Sequence, residues 1–224
     1  MIEDHLKLCL VTNTQTTPFF LYKKFILQAI EGGITSVQLR EKSKNLTQIR
    51  DIALELKGIL SHYKIPLIIN DYIEIAKEID ADGIHLGQSD LAPSDARQLL
   101  GPNKIIGLSI ESFEELEIAN QLTCIDYIAA SAVFPSKNKS NCKTIWELSG
   151  LQKITQKSKH PVIAIGGIND CNIQHVIESG ACGVAVIDAI HCHHNPKEAA
   201  SHLIKKINQS IERKKHVSKT ERKN

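Results

Sequence analysis

The chain has 224 residues, 42% of them hydrophobic, enough to bury one sizeable core, as a single α/β barrel or as two small domains. Its net charge of +2 hides a division: the last twelve residues, 213–224, hold six Lys/Arg against one Glu, which leaves the body, 1–212, at −3. No basic stripe interleaved with aromatics runs through the body, no apolar run is long enough to span a bilayer, and MIEDHLKLCL has acids where a signal peptide has bases. The expectation is a cytoplasmic protein with neither a nucleic-acid nor a membrane partner.

Strand-like and helical runs alternate from the N-terminus. LKLCLVT precedes FFLYKKFILQAIEGG, and SVQLR precedes LTQIRDIALELKGILSHYK. PLIIND precedes IEIAKEIDA, GIHLG precedes SDARQLL, and KIIGLSI precedes SFEELEIANQL. DYIAASAVF precedes ELSGLQKITQKS, PVIAIGG precedes NIQHVIESG, and GVAVIDAI precedes EAASHLIKKINQSIERK. The first member of each pair is short and β-branched; the second spaces its apolar residues at i, i+3, i+4, as Leu46, Ile49, Ile52, Ala53 and Leu56 do. Gly33, Gly83 and Gly180 stand where a left-handed cap closes a helix. Eight βα units predict a single (β/α)₈ TIM barrel over residues 1–212, with a doubly wound open sheet as the alternative. Residues 213–224 read as a basic, disordered C-terminal tail.

The six cysteines contain no CxxC pair and read as reduced thiols. His191-Cys192-His193-His194 has the composition of a metal tract, but four consecutive side chains cannot all aim at one ion, and a polar loop is the simpler reading.

In a barrel of this type the chemistry sits at the C-terminal strand ends and the loops beyond them. The second strand delivers Gln38 and Arg40 on one face with Lys42 just past its end, the third ends in Asn70-Asp71, and the fourth runs into Gln88 and Asp90. The fifth gives Ser109, the sixth leads to Ser136-Lys137-Asn138-Lys139, the seventh ends in Gly166-Gly167, and the eighth passes from Gly183 to Asp188. Asp71 and Asp90, on neighbouring strand ends, suit one Mg²⁺ completed by water and substrate oxygens, although either alone also serves as a helix N-cap. Gly166-Gly167 and the Gly183 strand have the character of a phosphate cup, or simply of a tight turn. Arg40, Lys42 and Lys139 supply more positive charge than one monophosphate needs, which points to a diphosphate leaving group. No Ser-His-Asp or Cys-His arrangement competes as a nucleophile.

VQLREK, IINDYIEIA, DGIHLGQSD, IIGLS, VFPSKNK, IAIGGI and GVAVIDAI, in this order and spacing, resemble the thiamine phosphate synthase family, over nearly the whole body to about Ile211. The resemblance implies a transferase that joins hydroxymethylpyrimidine diphosphate to hydroxyethylthiazole phosphate, releasing diphosphate, with Mg²⁺ on Asp71 and Asp90. It places the pyrimidine diphosphate on Gln38, Leu39, Arg40, Glu41, Lys42 and Asn70, with Ser109 and Lys139 at the leaving diphosphate. Arg40, Lys139 and Ser109 become the catalytic residues, and Ser136, Lys137, Asn138, Gly167, Ile187 and Asp188 grip the thiazole phosphate. The chain departs from the family at Ser131-Ala132 (usually Gly-Pro), at Ser136 and Asn138 (usually threonines), at Ile110-Glu111 and at Asp188 (commonly Ser). A thiazole tautomerase of the same barrel family, another phosphate-binding barrel enzyme and a non-catalytic barrel that binds thiamine precursors remain alternatives. A homo-oligomer is left open.

Overall fold

Eight parallel strands close on themselves in sequence order, and β1 (Leu8–Val11) completes the ring by pairing with both β2 (Ser36–Leu39) and β8 (Gly183–Val186). The computed structural model describes residues 2–14, 17–138 and 142–221. Between these strands lie β3 (Leu67–Asn70), β4 (Gly83–Leu86), β5 (Ile105–Ile110), β6 (Tyr127–Ser131) and β7 (Val162–Ile165). The outer ring runs α2 (Phe19–Gly32), α3 (Leu46–His62), α4 (Ile73–Glu78), α5 (Pro93–Leu100), α6 (Phe113–Ala119), α7 (Glu147–Lys157) and α8 (Ile173–Glu178). It ends with α10 (Pro196–Glu221). The α/β barrel is the predicted fold, and among the described residues no helix is long and apolar enough to cross a membrane.

Strand alternation sorts the core into two layers. Outward residues such as Leu10, Val37, Leu39, Ile69 and Val184 join the helix faces in one large cluster. Inward residues Cys9, Val11, Tyr127, Ala129, Ile163 and Ala185 form a smaller cluster in the lumen with Leu6. Leu6 belongs to α1 (Ile2–Leu6), which lies against the start of β8 at the N-terminal end of the barrel, where Val184 donates to Lys7 O. Sequence periodicity misses α1, and also α9 (Asp188–His191), because one turn is too short to show a repeat.

Local chemistry sets the helix ends. Asn45 and Gln48 form a reciprocal capping box at α3, and Gly33 (φ 98°) turns left-handed after α2 to return its N–H to Ala29 O and Ile30 O. Gly180 takes the same left-handed region at φ 110°. Gly83 does not close a helix. It opens β4, where a Cβ would overlap the Ile105 carbonyl, so its smallness lets β4 and β5 approach; Asp80 (φ 51°) makes the turn instead. The Gly183 backbone likewise packs on Leu6 O at the far end from the site, so it is no part of a phosphate cup. Helix α10 continues past Glu212 to Glu221, and 213–221 contains neither Gly nor Pro to stop a helix.

Candidate active site

A cavity of about 620 Å³ opens at the C-terminal ends of the strands. Pleating of β2 turns Gln38 inward, Arg40 follows on the same side just past the strand, and Lys42 stands on the rim. Asn70 and Asp71 come from the end of β3, Asp90 from the loop after β4, and Ser109 from β5. The opposite wall is made by Ser136, Lys137 and Asn138 after β6, Gly166 and Gly167 after β7, and Ile187 and Asp188 after β8.

Three expected residues stand elsewhere. Leu39 faces the helices, because β2 alternation sends it outward. Glu41 is buried away from the cavity: its Oε1 accepts from Thr12 Oγ1 (2.8 Å) and Thr14 N (3.2 Å), and its Oε2 from Thr14 Oγ1 (2.7 Å). A buried carboxylate needs such partners, so Glu41 ties the loop after β1 to the end of β2. Gln88 donates to Ser109 O (2.7 Å) and pins the β4 loop to β5. Lys139 lies outside the described residues.

Asp71 and Asp90 face each other across adjacent strand ends. Asp71 sits at φ 66°, a left-handed conformation, while its N–H donates to His85 O (3.0 Å). Asp90 accepts from Gly87 N (2.6 Å). Partial burial, followed by the neighbouring Asp90 carboxyl, pushes the Asp71 carboxyl up to about 6, against the opposing pull of Arg40 and Lys42. Arg40 shifts the other way: burial lowers it, and Asp71 and Glu41 offset part of that. Two carboxylates that resist ionising together, with oxygen-only donors, fit a hard cation that takes its remaining ligands from water and substrate. Among the described residues no group of three or more His, Cys, Asp or Glu could hold a metal ion, the His191–His194 tract included.

A polar layer at the cavity floor, His85 over the buried Tyr127, escapes sequence motifs. His85 Nδ1 is 2.9 Å from Tyr127 Oη and Nε2 is 2.8 Å from Ser109 Oγ, so Ser109 is held from below. Burial raises the Tyr127 phenol well above its ordinary value, which keeps it neutral. The alternation of GIHLG, with Ile84 and Leu86 outward, is the one signal that could have found His85. Opposite, Gly166 (φ 99°) and Gly167 (φ 64°) both lie in the left-handed region. A Cβ on Gly166 would meet Ala132 Cβ at 2.5 Å, so bare backbone forms this wall. Asn172 Nδ2 and Asn169 Nδ2 donate to Gly167 O (3.0 and 3.3 Å) and brace the turn from behind.

Residues 8–190 match the family model described as thiamine monophosphate synthase. The chain is 39% identical over 211 residues to the thiamine-phosphate synthase of Chlamydia caviae, covering 94% of this chain and 99% of that protein. It is 44% identical over 199 residues to the enzyme of the same name from Vibrio campbellii, covering 88% and 96%. Among solved structures, thiamine phosphate pyrophosphorylase from Pyrococcus furiosus superimposes with a TM-score of 0.84 at 32% identity, covering 94% of this chain and all of that one. A match of this extent, over the strand ends that build the cavity, places the chain in the thiamine monophosphate synthase family.

Proposed function

We infer that this protein is a thiamine phosphate synthase, a transferase that condenses hydroxymethylpyrimidine diphosphate with hydroxyethylthiazole phosphate to thiamine phosphate and diphosphate. The observation that carries the reading is the division of one cavity: Arg40, Lys42 and the paired carboxylates on the β2–β5 side, and bare glycine backbone with Ser136, Asn138 and the oppositely charged Lys137 and Asp188 on the β6–β8 side. Such a cavity suits two phosphorylated small molecules held face to face.

In this reading Gln38 meets the pyrimidine ring, Asn70 lies beside it, and Arg40 and Lys42 take the diphosphate, with Ser109 and Lys139 at the leaving end. Asp71 and Asp90 would hold Mg²⁺, which when bound supplies Lewis-acid screening of the diphosphate oxygens. Loss of diphosphate from the methylene carbon leaves a cation stabilised by the amino-substituted ring, and Arg40, Lys42 and Lys139 stabilise the charge that grows on the departing oxygens. Ser136, Asn138, Gly167, Ile187 and Asp188 would hold the thiazole phosphate so that the ring nitrogen faces that carbon and attack is effectively intramolecular. The nitrogen carries no proton, so no general base is needed, and the His85–Ser109 pair in the cavity has no proton to take from it. The reaction requires neither nucleic acid nor membrane and suits the cytoplasm. The test is an assay for thiamine phosphate from the two substrates, with Mg²⁺ and with chelator; absence of product with both substrates present rejects the assignment.

A further inference from the structure

One partly buried polar chain lies behind the cavity, and only its last member, Ile187, lines it. Asn13 N donates to Tyr22 Oη (3.3 Å), Tyr22 Oη is 2.8 Å from His191 Nε2, and His191 Nδ1 is 2.9 Å from Ile187 O. A carbonyl can only accept, so Nδ1 carries the proton. Burial lowers the His191 pKa, so the ring is neutral near pH 7, Nε2 accepts, and Tyr22 must donate to it. The direction of every bond is thereby fixed, from the loop after β1 to the turn after β8. Both ends are anchored. Thr12 and Thr14, on either side of Asn13, are held by Glu41, and the His191 ring stacks on Phe25 at 4.5 Å. Ile187, whose carbonyl receives the last bond, lines the cavity with Asp188 and Ala189.

We propose that Tyr22 and His191 are positioning residues for the thiazole phosphate: through the Ile187 carbonyl they fix the Ile187–Ala189 turn against which that phosphate is held. The proposal rests on the functional reading above. Neither side chain reaches the cavity, so they act through the turn alone.

The test uses the full chain and begins with wild-type turnover of both substrates. His191→Gln, whose amide no longer sits at the Nδ1 position, should raise the KM for thiazole phosphate about tenfold, while the KM for pyrimidine diphosphate stays within about twofold. His191→Asn, which keeps an N–H near the Nδ1 position, and Tyr22→Phe, which keeps the imidazole itself, each lose only the Tyr22–His191 link and should raise the thiazole KM about threefold, since the bond to Ile187 O survives. Amide hydrogen exchange over 187–191 should quicken most in His191→Gln and less in Tyr22→Phe and His191→Asn. Thiazole KM values equal to wild type in all three variants overturn the proposal, as do KM values for both substrates that rise together in step with a falling Tm. If the His191 variants do not fold, Tyr22→Phe, which deletes one oxygen, decides the matter alone. A wild type without turnover overturns the functional reading and the substrate named here, whereas the exchange data still report whether the pair fixes the turn.

Discussion

Asp71 carries a conflict between folding and chemistry. Its carboxyl is raised to about 6, so ionisation near pH 7 costs the metal-free fold stability, and that cost disappears as the pH falls from about 6 towards its ordinary value of 3.8. Asn removes the charge and tolerates the left-handed backbone of this position. Asp71→Asn should therefore raise the Tm of the metal-free protein at pH 7.5 and lower turnover by roughly 10²-fold or more. The same raised pKa predicts that Mg²⁺ binds with release of a proton below about pH 6, measurable as a loss of affinity on acidification. Arg40 tests the other half of the site. Leaving-group charge is largest in the transition state, so Arg40→Ala should lower kcat by about 10²–10³ and change KM less. An unchanged kcat with a raised KM would reduce Arg40 to a ground-state anchor. Asp188, where the family commonly has Ser, lines the wall assigned to the thiazole phosphate, and like charges about 5 Å apart repel by about 3 kcal/mol at an effective dielectric of 20, less with solvent between them. Asp188→Ser should lower the thiazole phosphate KM several-fold and leave the pyrimidine diphosphate KM alone.

At the scale of elements, the β7–α8 turn shows how glycine backbone becomes a binding wall. Gly166→Ala must force a Cβ into Ala132 and strain a φ of 99°, at about 1–3 kcal/mol. The expected outcome is a lower denaturation midpoint together with a raised thiazole phosphate KM; a drop in midpoint with both KM values intact would confine these glycines to turn-making. Elements were legible in the sequence wherever the period had room to repeat. Four-residue β-branched strands and helices such as α3 declare themselves, whereas the single turns α1 and α9 cannot. Alternation placed Gln38 and Arg40 inward correctly, and the same rule applied strictly would have sent Leu39 outward. Glu41 misled because it is flanked by site residues, and only its partners Thr12 and Thr14, about thirty residues away in the chain, reveal it as a tie between loops. His85 with Tyr127, and Tyr22 with His191, are pairs made by closure of the ring. Their separations of 42 and 169 residues leave no local pattern to read.

Over the whole molecule, the barrel separates stability from chemistry along its axis. The end that faces the substrates is polar, strained at Asp71 and open; the other end is apolar and plugged. Leu6, 1% exposed, fills the base of the lumen with Cys9, Val11, Tyr127, Ala129, Ile163 and Ala185, and its carbonyl packs against Gly183. Strands of four to six residues leave a short lumen, so the inner cluster is small and one missing side chain is a large fraction of it. Leu6→Ala should cost about 2–5 kcal/mol, because α1, bound to the start of β8, is poorly placed to follow the truncated side chain inward and close the cavity. The substrates enter at the opposite end, so kcat and both KM values at a temperature well below Tm should stay within about twofold of wild type, as expected for a change confined to the far end of the barrel. Denaturant titration beside steady-state kinetics measures both quantities. A variant of wild-type stability would mean that α1 only lies on the barrel, and lost turnover in a still-folded variant would mean that the His85–Tyr127 layer carries strain from the plug to Ser109.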